Sequence, residues 1–466
     1  MRLLSARAGG IEGGAARVDR SSGRRFRLEG FFSELFVSLT GGAFLTGTAL
    51  ALGATPLSLA LLAAVPFMAQ VGQLIAPWLE QRLGSRRRFV IPALALARGI
   101  WMLPVVLLAL GLKGALPLTL AILSIGLMSL LGMVAQNGWM TWMMDLIPTG
   151  DRLRHFGHRA WSVSLAMLLI TPAGALALDG YKEQGQESFG LMLLGAVGVV
   201  FGLMGALSLA GVPDKAPEAA DPEPLPAVFR RLTQRKGYRR VLVLFGLWHG
   251  SVGLPAPFWT LYMLQHLGMS FSLITIHTCL ILIVRLLCGN LWAAIIERAG
   301  SRKVLIACAF FLSANPLWWV FAERDFYWPL WIEATISGVC WTGFNQAAFV
   351  QPIAGLKLRD RSKGLAFFHV LTGLPLFVAS MIGGLILEGL GAHKTSTFIG
   401  IFVASAVLRA LTTLLALRLT EPGTTVRAFF VSFIGNGLLR RPVGRAAILI
   451  DEEPPSGPKE VGAASE

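Results

Sequence analysis

The chain has 466 residues, of which 54% are hydrophobic and 14% charged, with a mean hydropathy of +0.64. A soluble domain is about 25% charged, so this composition excludes a water-soluble globular protein and makes lipid the principal solvent. The net charge of +15 does not indicate nucleic acid as a partner, because the basic residues are scattered over short connections rather than gathered in one patch.

Residues 1–30 carry seven arginines, many glycines and no apolar run, which predicts a flexible basic cytoplasmic arm rather than a signal peptide or a span. Twelve apolar stretches follow, each close to the 20 residues or so that cross a bilayer: 31–53, 56–80, 89–112, 116–145, 158–179, 189–212, 241–264, 270–296, 303–322, 326–353, 364–390 and 395–417. Unpaired strand edges have no water to bond in lipid, and the stretches are too continuously apolar for barrel strands. The predicted fold is therefore an all-α integral membrane protein of twelve transmembrane helices. Residues 31–212 and 241–420 form two six-helix bundles, joined by a Pro-rich, acidic and then basic loop over 213–240. Residues 421–466 form a cytoplasmic tail, in which "VRAFFVSFIGNGLLRRP" is too short and glycine-broken to span and suits an interfacial helix.

Of the 41 Lys and Arg residues, Lys113, Lys182, Arg324 and Lys394 lie in odd-numbered connections, and Arg98, Arg285 and Arg409 lie deep inside spans; the other 34 lie in the termini, in the even-numbered connections or, as Arg159 and Lys303, at the span ends beside them. Basic residues stay cytoplasmic during insertion, so both termini are expected inside, in a multi-pass plasma (inner) membrane protein. Anionic lipid headgroups are the expected partner of that face.

The halves repeat one another. "LGATPLSL" (52–59) matches "LGMSFSLI" (267–274), and "LEQRLGSRRRFVI" (79–91) matches "IIERAGSRKVLI" (295–306). "AQNGW" (135–139) matches "FNQAA" (344–348), "DRLR" (151–154) matches "DRSK" (360–363), and "GALALDG" (174–180) matches "GGLILEG" (383–389). The matches run in order at offsets of 215, 216 and 209, so the two bundles are pseudo-symmetric.

These residues carry a resemblance to the major facilitator superfamily (MFS). Its loop signature between helices two and three is approximated by Gln81, Arg82, Gly84 and Arg86, with Glu80 beside the position where the family has an acid. The better copy is the second, with Glu297, Arg298, Gly300, Arg302 and Lys303. Asp145 followed by Arg152 resembles a further family pattern after helix four. The resemblance implies two six-helix bundles around a central cavity lined by spans one, four, seven and ten. On that basis Arg82, Gly84, Arg86, Asp145, Arg152, Glu297, Arg298, Gly300 and Arg302 are candidate gating residues. The positive-inside rule alone is the competing explanation of the basic ones.

Polar residues within spans are costly in lipid and mark protein or water contacts. Span four carries Gln136 and Asn137. Span ten carries Glu333, Ser337, Trp341 and Asn345 at four-residue intervals, with Gln346 beside the last. Span seven carries Trp248 and His249 among Gly246, Gly250, Gly253, Pro255 and Pro257, which weaken its helix. Arg285 lies about 20 Å along span eight, with no carboxylate of obviously matching depth. Either a substrate anion or an ion pair between tilted helices supplies its partner. Gln136, Asn137, Trp248, His249, Arg285, Glu333, Trp341, Asn345 and Gln346 are thus the candidate substrate residues, while helix–helix contacts remain the competing reading for the amides. A coupling proton or cation is a further expected partner, and Glu333, Glu34 and His249 are the candidates for a proton. Metal-ligand spacing, a Walker loop and a catalytic constellation are lacking, so neither an enzyme nor a cofactor is expected. The reading is a secondary transporter of a small organic solute by alternating access. The alternative is a non-transporting membrane assembly or scaffold factor on the same fold.

Overall fold

The computed structural model describes residues 20–147, 152–214, 225–353, 356 and 358–419. Among these, regular structure is helical apart from one isolated bridge between Glu323 and Phe326. The helices are α1 (Arg20–Thr40), α2 (Gly42–Ala51), α3 (Pro56–Met68), α4 (Gly72–Leu83), α5 (Arg86–Ile100), α6 (Met102–Ala109), α7 (Ala115–Leu146), α8 (Arg152–Glu183) and α9 (Glu187–Ser208). They continue with α10 (Leu225–Gln234), α11 (Lys236–Gly253), α12 (Trp259–Gln265), α13 (Phe271–Ala299), α14 (Ser301–Ala314), α15 (Trp328–Val350), α16 (Leu358–Leu390) and α17 (Thr395–Ala416).

Ten helical segments among the described residues are long and apolar enough to cross a membrane, and an eleventh joins them if α1 and α2, bent by 40°, count as one span. The remaining expected span is α15, 23 residues long. Its length suffices, but Glu333, Asn345 and Gln346 lower its hydropathy. Each expected span thus has a helical counterpart, several of them broken once.

Two boundaries differ from the sequence reading. The first helix starts at Arg20 rather than 31, so the end of the expected arm is ordered. Phe26 is fully buried, and Glu29 pairs with Arg98 at 3.3 Å and Arg159 at 3.2 Å. Partners on α5 and α8 fold this polar turn into the bundle. The central loop also contains α10, whose Val228 and Leu232 pack with Tyr238, Leu356 and Phe367. The expected interfacial helix after 420 lies outside the described residues.

The seventh span breaks where expected. α11 ends at Gly253, a single 3-10 turn covers Ala256–Phe258, and α12 resumes at Trp259. An added Cβ at Gly253 would lie 2.5 Å from the Leu376 carbonyl oxygen, so glycine there lets α11 sit against the α16 backbone.

Candidate functional site

One end of the molecule carries the odd-numbered, sparsely charged connections and the other the basic ones. The halves touch through α3 with α16, α8 with α13, and α2 with α12 and α13. These contacts are anchored at the sparsely charged end. Leu57 and Ala60 face Gly384, and the Phe67 carbonyl faces Gly373 near the middle of α16. Asp179, near the end of α8, accepts hydrogen bonds from the backbone N–H groups of Phe271 (2.9 Å) and Ser272 (2.8 Å). By contrast α1, α4, α7, α11 and α15 pack extensively only on their own half. Among the described residues the extensive contacts between the halves therefore lie away from the basic end, and α7, α11 and α15 border the gap between the halves there.

On α7, Leu116, Leu120, Leu123 and Leu127 form an exposed apolar stripe. Gln136 is nine residues beyond Leu127, two and a half turns, and so lies on the opposite side. To one side of it, Leu130 and Met133 meet Gly72 of α4. To the other, Trp139 sits against the Arg159 guanidinium at 4.4 Å. Gln136 is exposed between these two contacts and faces the gap; Asn137, half-buried, is turned toward α4.

The matching position on α15 is Asn345, also exposed. Phe344 beside it stacks on Trp248 of α11 at 4.7 Å, and Gln346 on the other side donates to the Gly289 carbonyl of α13 at 3.0 Å. Asn345 thus points between α11 and α13. Trp341, half-buried, packs at 5.5 Å from Phe344. Trp248 is 3% exposed and belongs to the wall behind this surface. Its indole N–H and the Gln346 side-chain amide oxygen are buried without a hydrogen-bond partner among the described residues. His249 shares a short bond with the Phe245 carbonyl (2.7 Å); Nδ1 must then carry the proton, leaving Nε2 as the acceptor of the neutral ring.

Arg285 is exposed and takes part in none of the described ion pairs. It lies fourteen residues after Phe271, within about 40° of the same helix face. Phe271 stacks on Phe44 of the opposite half at 6.4 Å, so Arg285 points toward the seam at a depth where the halves have separated. A residue outside the sequence-derived candidates joins it: His369 on α16, exposed and close enough to His249 for their charges to interact. Gly373, one turn away, abuts Phe67 of the other half, which fixes the direction His369 faces. A lone histidine carried no periodic signal; its register against a seam glycine is legible only in three dimensions.

Glu333 is not part of this surface. It is 6% exposed inside the C-terminal bundle. It accepts from His277 Nε2 (2.9 Å), Asn315 Nδ2 (2.6 Å) and Ser337 Oγ (2.6 Å). Arg409, 4% exposed, is within electrostatic range of it and donates to the Leu312 carbonyl at 3.2 Å. In the N-terminal bundle Arg98 fills a comparable place, bonded to Gly202 O at 2.7 Å, Ser33 and Glu29. Both arginines are buried within their own bundles. Glu34 is half-buried near Ser38 and Arg159.

The repeated turns are each tied to their own half. Gly84 closes α4 at φ 59° and ψ 16°, the left-handed region where glycine carries no Cβ penalty. Arg86 is buried between Glu80 (2.6 Å) and Asp145, so Glu80 takes the acid role that Gln81 cannot. Arg82 lies 5.1 Å from the Trp78 ring centre. Gly300 has φ 93°, and Arg302 donates to Leu417 O at 2.6 Å. Glu297 and Arg298 are exposed. The Arg152 side chain lies outside the described residues. The described contacts of Arg82, Arg86 and Arg302 stay within their own halves.

Residues 238–434 match the model of the MFS_1-like family. No curated protein sequence matches the chain. Solved structures do: the nucleoside transporter NupG (TM-score 0.68, 12% identity, 86% of this chain and 100% of that one) and a D-xylose–proton symporter (0.61, 13%, 86% and 98%). A bacterial homologue of the human lysosomal transporter Spinster, in an inward-facing and unoccupied conformation, also matches (0.58, 14%, 90% and 98%). The chain has the fold of the MFS transporters, as the repeated turns led one to expect.

Proposed function

We propose that the protein is a secondary active transporter that moves a small organic solute with an anionic or carbonyl-rich end by alternating access. The carrying observation is the gap between the halves, closed at the sparsely charged end and parted at the basic end. Gln136, Asn345, Arg285 and His369 are turned toward it, and Arg285 has no ion-pair partner among the described residues. A scaffold built on this fold would have no use for unpartnered polar groups in a gap between bundles. With the basic end cytoplasmic, this arrangement is the inward-open state. Arg285 supplies the charge that selects an anion, the amides of Gln136 and Asn345 supply orientation from opposite halves, and Trp341 supplies apolar wall. His249 and His369 are the groups best positioned to exchange a coupling proton with the gap.

The test is a thermal-shift panel of organic anions and cations on purified protein, followed by uptake of the hits into proteoliposomes. Saturation at about 100 times Kd stabilises by about 2.7 kcal/mol. Anions are expected to dominate the hits, and Arg285→Gln to abolish the shift while leaving the unliganded melting temperature unchanged. Hits that are mainly cations, or that bind the variant equally, contradict the anion assignment. Absence of uptake for every hit contradicts transport.

A further inference from the structure

The sparsely charged end is shut by two contacts that the repeat makes equivalent. "GALALDG" ends α8 with Asp179, and "GGLILEG" ends α16 with Glu388. "LGATPLSL" opens α3 with Thr55 and Pro56, where "LGMSFSLI" opens α13 with Ser270 and Phe271. In the structure each carboxylate reaches the start of the equivalent helix in the opposite half. Asp179 accepts from Phe271 N–H and Ser272 N–H, while Ser270, the N-cap, accepts from Leu273 N–H at 3.2 Å. The first-turn donors of α13, which have no intrahelical partner, are thus satisfied in part by a charge borrowed from the other bundle, at the positive end of the helix dipole. Lys182, one turn from Asp179, lies 5.5 Å from the Phe271 ring centre.

The second contact is weaker for a reason written in the sequence. Pro56 stands where Phe271 stands and has no N–H to offer. Glu388 is exposed and, among the described residues, accepts only from the Thr55 hydroxyl, at 3.4 Å. We infer that Asp179 is the main latch holding this end of the seam closed, with Glu388 its weaker pseudo-symmetric counterpart. Alternating access, on which this rests, requires the halves to separate here, and the Asp179 contact must break when they do. Its loss therefore shifts the population toward the state open at this end.

The experiment reads the seam without needing a substrate. Thr275→Cys, buried on α13 one turn beyond Phe271, is labelled with a hydrophilic thiol reagent in nanodiscs, where both faces are accessible, and followed residue by residue by tandem mass spectrometry. Adding Asp179→Asn is expected to raise the labelling rate about tenfold, equivalent to about 1.4 kcal/mol. Asp179→Glu, which keeps the charge, is expected to stay within about twofold and Glu388→Gln to raise the rate about twofold, as exposed pairs contribute little. Ser272→Pro, tolerated in a first helical turn, removes one donor without touching Asp179 and is expected to accelerate labelling severalfold. A packing role makes the opposite forecast, with the isosteric Asn silent and Glu disruptive. Wild-type rates in folded Asp179→Asn and Ser272→Pro, or equal acceleration by Asn and Glu, overturn the latch. That failure leaves the transport reading intact, since uptake is measured separately; absent uptake with accelerated labelling would fault the transport reading and not the latch.

Discussion

Two populations of polar side chain occupy the spans, and they differ in whether their partners lie in the same bundle. Inside the bundles, Glu333 has three donors around it, and Arg98 has a carboxylate, a hydroxyl and a carbonyl. In the gap, Gln136, Asn345, Arg285 and His369 are exposed, and none forms an ion pair among the described residues. Burial without water demands internal satisfaction; the gap residues escape that demand only if water or a ligand reaches them. The first group is satisfied within its own half, and the second is the group that the proposed transport would use.

The comparison predicts a graded series of effects. Removing a member of a bundle network should be the most damaging change. Glu333→Ala leaves His277, Asn315 and Ser337 donors facing a vacated site, and Arg98→Ala leaves Glu29 with Arg159 and Ser33 alone and takes the donor from the Gly202 carbonyl. Breaking a buried pair costs about 3–5 kcal/mol, so thermal unfolding in detergent should show a large loss of stability in both. Stability near wild type would mean that these networks are dispensable. Arg285→Gln should do the reverse, leaving the unliganded protein intact while removing a ligand-induced stabilisation of about 2.7 kcal/mol. The repeated turn comes next. Space around the Gly84 Cβ position is open, so Gly84→Val is opposed by its positive φ rather than by crowding. It should cost about 1–2 kcal/mol, with Gly84→Asn costing less; equal penalties would show that the left-handed conformation is not the constraint. Gln136→Ala and Asn345→Ala should be smallest in stability, within about 0.5 kcal/mol, while weakening ligand binding.

Much of the architecture was legible in the sequence because lipid imposes a local rule. Apolar runs marked the helices, though the first begins well before its run, at Arg20 rather than 31, and the alternating basic connections and ordered repeats suggested two halves. Gln136 and Asn345 stood out through the repeat, and Arg285 through its depth, as candidates for the proposed site. What stayed hidden depends on contacts distant in sequence. Glu29 reads as part of a polar arm until Arg98 and Arg159 are seen around it. Glu333 shares a helical stripe with Asn345, yet twelve residues of α15 carry it to a depth where His277 and Asn315 enclose it. Asp179 and Glu388 were visible as a repeat, but a carboxylate capping a helix in the other bundle has no signature along the chain.

The account rests on the gap being wet while the outer faces of the helices lie in lipid. The most direct measurement compares Gln136→Cys with Leu123→Cys, both exposed on α7 but on different sides. A charged thiol reagent, which needs a hydrated thiolate, is applied in nanodiscs, with Asn345→Cys as the equivalent in the other half. Positions 136 and 345 should label rapidly and position 123 slowly, with a bound solute protecting the first two. Equal, slow labelling at all three would mean that no hydrated path separates the halves, and would contradict the transport account at its base.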